Sequence, residues 1–191
     1  MNSLPFDSIM KKSMARILKP ACAVLFTSVC LQNSALASID VEMYQATKSG
    51  QGQSLGIITL SENEHGVTFT PDLKGLTPGQ HGFHVHQLAS CEPKKKEDKV
   101  VPAGAAGGHL DPTSNHHHDK PWADGHLGDL PALYVNENGQ AKSPVLAPRL
   151  TLEIVEQHAL MIHAGKDNYA DKPKPLGGGG TRIACGVIGQ R

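Results

Sequence analysis

His84-Val85-His86 puts two imidazoles two residues apart, within a stretch from Gly82 to Leu88 that has strand character. In a strand, side chains two apart leave the same face, so both rings can reach one metal ion while Val85 turns into the core. Alone, such a pair fits polar surface as well as a ligand pair. Further along, His109, His118, His126 and Asp129 follow at separations of nine, eight and three residues. Three imidazoles and a carboxylate make a closed tetrahedral shell suited to zinc, with no position left for water, so that shell is expected to be structural. Binding there would offset the entropy of ordering a loop with too few apolar residues to fold itself down. Flexible residues stand beside the candidate ligands, as Gly107-Gly108 before His109 and as Gly125 and Gly128 around His126 and before Asp129. His163 ends the apolar run Ala159-Leu160-Met161-Ile162 and could bring a third ligand to the His84 and His86 pair. Imidazole-rich sites suit copper or zinc, and spacing does not choose between them. His116, His117 and His118 are consecutive, so spacing leaves open which one binds; exposure to solvent is the expected state of the other two.

The elements that must position these groups read as short strands. Period-2 patterning between turn residues recurs at residues 39–46, 54–61, 66–70, 82–88, 132–135, 150–155, 159–163 and 182–188. About eight short strands with no amphipathic helix of ordinary length predict an all-β sandwich or barrel in a single domain. Two long connections interrupt the rhythm, residues 89–131 and 164–181. The first carries most of the histidines, and loops of that length are functional or disordered. Gly177 to Gly180 is not followed by Lys-Ser or Lys-Thr, which excludes a phosphate-binding loop.

Composition narrows the function classes. Lys11, Lys12, Arg16 and Lys19, the apolar stretch Ala21 to Leu31 and the small residues Ala35-Leu36-Ala37 have the form of an export signal, so residues 1–37 are expected to be removed and the mature chain to be 38–191. Cys30 is a poor lipid-anchor site because bulky Val29 precedes it. The mature part holds 14 basic and 17 acidic residues, no later run long enough to span a bilayer, and all eleven histidines. A mildly acidic product has no global field for nucleic acid, so the partner is expected to be small. Cys22 and Cys30 leave with the signal; the remaining pair, Cys91 and Cys185, is expected to form a disulfide in an oxidising compartment.

Gly82-Phe83-His84-Val85-His86, Ala106-Gly107-Gly108-His109, the segment Asp124 to Pro131 and the segment Leu176 to Gly186 together resemble the copper/zinc superoxide dismutases, in particular their bacterial periplasmic branch. The resemblance covers nearly all of the chain from Ile39 onward. It implies a Greek-key β-barrel that converts superoxide to dioxygen and hydrogen peroxide in the periplasm, as a monomer or a homodimer. It also implies copper on His84, His86, His109 and His163, and zinc on His109, His118, His126 and Asp129, with the His109 imidazolate shared. Arg182 matches the arginine that guides the anion, and Cys91 and Cys185 match the family's disulfide. Asp167 resembles the acid that links the two metal sites through ligand imidazoles, with Asp171 a competing candidate because the loop differs in length. The His116-His117 extension and the Asp119-Lys120 turn depart from the family pattern. Lys94 to Lys96 could draw in superoxide or form a solvated basic turn. A metal-binding protein without catalysis and a zinc hydrolase are the rival readings; Arg182 and the full copper set argue against the first, and the closed zinc shell against the second.

Overall fold

The structure is a computed structural model that describes residues 37–189. The expected export segment, with Cys22 and Cys30, lies outside the described residues apart from its last position. Eleven strands and one turn of α-helix follow in order, with two short 3-10 turns (Gly104–Ala106 and Leu176–Gly178) in the connections: β1 (Ser38–Thr47), β2 (Gly50–Asn63), β3 (Gly66–Leu73), β4 (Gly79–His81), β5 (Phe83–His86), β6 (Lys94–Lys96), β7 (Lys99–Val101), β8 (Leu133–Val135), β9 (Val145–Ala147), α1 (Leu152–Val155), β10 (Ala159–His163) and β11 (Arg182–Val187).

Alternation drives the strands. Along β3, Val67, Phe69, Pro71 and Leu73 are buried while Thr70 and Asp72 face solvent, as one buried face of a pleated strand requires. Seven strands form one curled antiparallel sheet in the order β5, β10, β11, β1, β2, β3, β9, and β4 pairs with β8 beside it. This is the all-β barrel expected from the sequence. Its interior packs Ile58, Leu60, Phe69, Phe83, Val85, Leu133, Leu160 and Ile162, among others. Each such side chain contributes roughly 1.5–3 kcal/mol when fully removed from water. Phe69 and Phe83 meet edge to face with ring centroids 5.6 Å apart.

The expected strand at residues 150–155 is instead a turn of helix. Leu152 and Val155 are buried while Glu153 and Ile154 are exposed, a spacing of three that suits a helix and not a pleat. Thr151 caps the turn by accepting from Ile154 N. The connection at 89–131 is not wholly irregular either: β6 and β7 form a hairpin in it, with Lys94, Lys95 and Lys96 all exposed. Two other short strands, β4 and β9, lacked enough alternating residues to be read from sequence.

β10 is buried at every position. Leu160 and Ile162 face the barrel interior, whereas Ala159 and Met161 join Cys185, Ala103 and Ala106 in a second apolar cluster outside it. The long loop therefore covers the outer face of β10. Cys91 and Cys185 form the expected disulfide, 94 residues apart in sequence, and tie that loop to β11. Cross-linking a loop of this length contributes roughly 2–5 kcal/mol. Among the described residues no helix is long and apolar enough to cross a membrane.

Candidate metal centre

β5 lies at one edge of the curled sheet, and its register with β10 sets Met161 opposite His84 and Ala159 opposite His86. The next register pair along, between β10 and β11, sets His163 opposite Arg182. The outer edge of β5 is taken by the long loop: Val85 N donates to Gly128 O (2.9 Å), Leu110 N to Val85 O (2.8 Å) and Gln87 N to Gly108 O (3.0 Å). Isolated bridges there pair His84 with Asp129 and His86 with His109. The backbone itself thus brings strand histidines and loop histidines together, and all six rings and Asp129 are buried.

The hydrogen bonds fix which nitrogens remain. His86 Nδ1 lies 3.0 Å from Gly107 O, and His163 Nδ1 lies 3.2 Å from Gly180 O. A carbonyl only accepts, so both Nδ1 atoms carry the ring proton and both Nε2 atoms carry a lone pair. Those two Nε2 atoms face one another at 3.4 Å. His84 Nε2 is 2.7 Å from Asp167 Oδ2, which leaves His84 Nδ1 buried without a partner, and His109 Nε2 is likewise unpartnered. His84, His86, His109 and His163 each offer a nitrogen within 4.8 Å of the others. Four lone pairs converging in a buried space are repulsive unless a cation lies among them.

A second convergence adjoins the first. Asp129 Oδ1 is 2.8 Å from His109 Nδ1 and 2.9 Å from His118 Nδ1, and Asp129 Oδ2 is 3.3 Å from His126 Nδ1. The His118 and His126 Nδ1 atoms are close to the carboxylate yet make no hydrogen bond. That is the geometry of ligands aimed at a common ion and not at each other. By distance alone His84 falls in this group and His126 outside it. We assign His126 here, because His84 Nε2 is committed to Asp167 and its free nitrogen serves the first group. Both donor sets therefore fit metal ions, nitrogen-only for one and nitrogen with carboxylate for the other.

Charge follows the same division. Burial, and then His109 nearby, hold the His84 and His86 imidazoles well below their usual pKa and His163 down at about 4. These rings are neutral at neutral pH, the state in which an imidazole can ligate a metal ion. Burial opposes charge on His118 too, but the carboxylates of Asp129 and Asp167 prevail and raise it to about 9. Against the penalty of its own burial, Asp129 is held far below the usual carboxylate range by His109, His118 and His126. The carboxylate side demands a positive charge, which a metal ion would supply in place of a proton.

Asp167 joins the two groups: one oxygen meets His84 Nε2 at 2.7 Å, the other His118 Nε2 at 2.8 Å. Asp171 accepts instead from the backbone N–H of His118 and of Leu176, so it shapes the loop without touching an imidazole. Gly177 has φ +67°, and a Cβ there would lie 2.0 Å from Asp167 Oδ1 and 2.7 Å from His118 Nε2. The glycine run thus packs against ligand-holding groups. Arg182 donates from Nη1 to Ala103 O (2.6 Å) and from Nη2 to Gly107 O (2.5 Å). Burial lowers its pKa somewhat, and a guanidinium with five N–H donors keeps others free.

Two groups escaped the sequence reading. His81 spans Thr77 O and His163 O, each at 2.7 Å, and so braces a ligand-bearing turn. Arg149 donates to Pro121 O (2.9 Å), Gly125 O (3.1 Å) and His126 O (2.6 Å). A groove of roughly 750 Å³ runs along β1 and residues 89–92, lined by Asp40, Glu42, Tyr44 and Glu92; none of the six histidines lines it.

Comparison with known proteins places these features. The family model for copper/zinc superoxide dismutase matches residues 54–188. Superoxide dismutase [Cu-Zn] of Photobacterium leiognathi is 54% identical over 175 residues, covering 90% of this chain and 99% of that protein. The Cu/Zn superoxide dismutase from Brucella abortus superposes with a TM-score of 0.78 at 52% identity, over 80% of this chain and 99% of that one. The monomeric copper, zinc superoxide dismutase from Salmonella enterica gives 0.73 at 56% identity, again over 80% of this chain and 99% of that one.

Proposed function

This chain belongs to the copper/zinc superoxide dismutase family, and we propose how its own residues divide that enzyme's work. His84, His86, His109 and His163 hold the copper, and His109, His118, His126 and Asp129 hold the zinc. The observation that carries this is the set of lone pairs described above, buried and pointed at two neighbouring spaces with His109 between them. Copper supplies the one-electron exchange by which two superoxide ions and two protons become dioxygen and hydrogen peroxide, while zinc supplies a fixed charge that holds the loop.

His109 is the ring placed to move a proton. Its Nδ1 side is engaged at Asp129, 2.8 Å away, and its Nε2 is unpartnered. A ring held from one nitrogen can take a proton at the other and surrender it to a peroxide product without losing its position. Arg182 stands across from His163 in the strand register, with its guanidinium fixed by two carbonyls. Its remaining N–H groups attract and orient a small anion there. Asp167 keeps His84 and His118 in set tautomers by accepting from both.

We further propose that residues 1–37 direct export and are cleaved, and that the enzyme protects envelope components from superoxide in the periplasm. The basic, apolar and small-residue order of that segment and the Cys91–Cys185 disulfide support this reading. Protein recovered from a periplasmic extract tests both parts together. Its N-terminus should read from Ser38, and superoxide removal should require copper as well as zinc. A retained leader contradicts the export reading, and equal activity with zinc alone contradicts the catalytic one.

A further inference from the structure

The carbonyl of Gly107 serves two side chains at once. His86 Nδ1 lies 3.0 Å from it, and Arg182 donates to it from Nη2 (2.5 Å). The peptide that carries this carbonyl has a glycine at each end, Gly107 and Gly108. Gly107 has φ 78° and ψ −154°, a conformation open to glycine and strained for any other residue. A peptide between two glycines turns over at little steric cost, since neither residue has a Cβ to oppose the new dihedrals. Turned over, it would present an N–H to Arg182 in place of an acceptor.

The peptides on either side are fixed by backbone. Leu88 N donates to Ala106 O (3.0 Å) and Gln87 N to Gly108 O (3.0 Å), so the residues just after β5 hold both flanks. Between them, the Gly107–Gly108 peptide bonds only to side chains among the described residues. His86 and Arg182 meet its carbonyl end, and at the other end Gly108 N donates to Gln87 Oε1 at 3.3 Å. The Gln87 side chain lies against the turn, for a Cβ on Gly107 would come 3.0 Å from Gln87 Oε1 and 3.5 Å from Gln87 Cβ. Gln87 is itself anchored, its backbone carbonyl accepting from His158 Nδ1 at 2.8 Å.

We propose that Gln87 is a positioning residue for Arg182: its amide oxygen holds the N–H end of the Gly107–Gly108 peptide and so keeps the Gly107 carbonyl turned toward the guanidinium. Without that oxygen the peptide populates both orientations, and Arg182 loses one of its two carbonyl anchors in part of the molecules. A small anion then meets a less ordered guanidinium. This last consequence rests on the role assigned to Arg182 above, whereas the orientation of the peptide does not.

Gln87→Met matches the length of the side chain and removes the oxygen, at an exposed position outside the core. Gly108→Ala supplies an independent restoration. Gly108 does not have positive φ, and a Cβ there would meet Gln87 atoms at 3.7 Å and beyond, in ordinary contact. Turning the peptide over would carry φ of residue 108 into the positive region, which alanine disfavours. Enzyme loaded with copper and zinc is titrated with azide, a small anion, followed by copper absorption. Gln87→Met should bind azide about 3- to 10-fold more weakly, the worth of one net hydrogen bond, with both metals retained by metal analysis. Adding Gly108→Ala to Gln87→Met should restore the wild-type affinity, and Gly108→Ala alone should match it. Arg182→Ala is the reference. If it weakens azide binding and Gln87→Met does not, the proposal is overturned, as it is by a loss that Gly108→Ala fails to restore. If Arg182→Ala has no effect, the anion role of Arg182 fails, and crystals of Gln87→Met still decide the peptide. They should show Gly107 O turned away from Arg182 in part of the molecules; a carbonyl that has not moved overturns the proposal.

Discussion

At the residue scale, the division of ligands rests on which nitrogen of each imidazole is already engaged. His163 gives Nδ1 to Gly180 O and meets His86 through Nε2 at 3.4 Å, but no contact under hydrogen-bonding distance links it to Asp129. His163→Ala should therefore abolish dismutation and lower copper content while most zinc stays bound. Metal analysis of the purified variant beside an activity assay checks this; equal loss of both ions would contradict the assignment. His84 and His86 were visible in the sequence as a pair because a strand repeats every two residues. Asp167 could not be separated from Asp171 by spacing, since both lie in one loop and both meet His118, one at the ring and the other at the backbone. His81 and Arg149 gave no signal: His81 joins the nearby Thr77 carbonyl to the distant His163 carbonyl and Arg149 reaches carbonyls well back in the loop, and no residue type or interval marks such partners.

At the scale of elements, the loop that carries His109 to Asp129 is fixed at three places. It pairs with the open edge of β5. Its first part is tied to β11 through the disulfide and Arg182. Its far part is held by Arg149, which follows β9 at the opposite edge of the sheet and reaches three loop carbonyls. Charge-assisted bonds of this kind contribute about 1.5–3 kcal/mol each, less than additively when they act together. Arg149→Met keeps the apolar stem of the side chain and removes the donors. It should weaken zinc retention about 10- to 100-fold in chelator competition, in the range of losses caused by removing groups that orient ligands. Copper affinity measured in the same way should change much less. Strand content was legible where burial alternates, most clearly in β3, and in β10 as a short apolar run bounded by polar residues and buried throughout. Residues 150–155 were misread because Leu150, Leu152 and Ile154 imitate a period of two, whereas burial at Leu152 and Val155 follows a helical turn.

For the whole molecule, the barrel is a rigid frame whose two sheet edges are bridged by a loop that cannot bury itself. Its apolar interior positions β5 and β10, and their register sets the strand histidines; the loop then adds the rest. On the proposed assignment, an ion held by the loop's imidazoles and Asp129 would stabilise the loop, coupling metal binding to the fold. Barrel class followed from strand spacing, while the closure of the loop over β10 required knowing that Ala103, Ala106, Met161 and Cys185 meet outside the barrel.

The central claim is that the two buried donor sets share one ring. Crystals of the mature protein loaded with both ions, with anomalous data collected at the copper and zinc edges, test it most directly. Copper should then lie at His109 Nε2 and zinc at His109 Nδ1, each at a bonding distance of about 2 Å. Two ions far apart, or a His109 ring bound to neither, would contradict it.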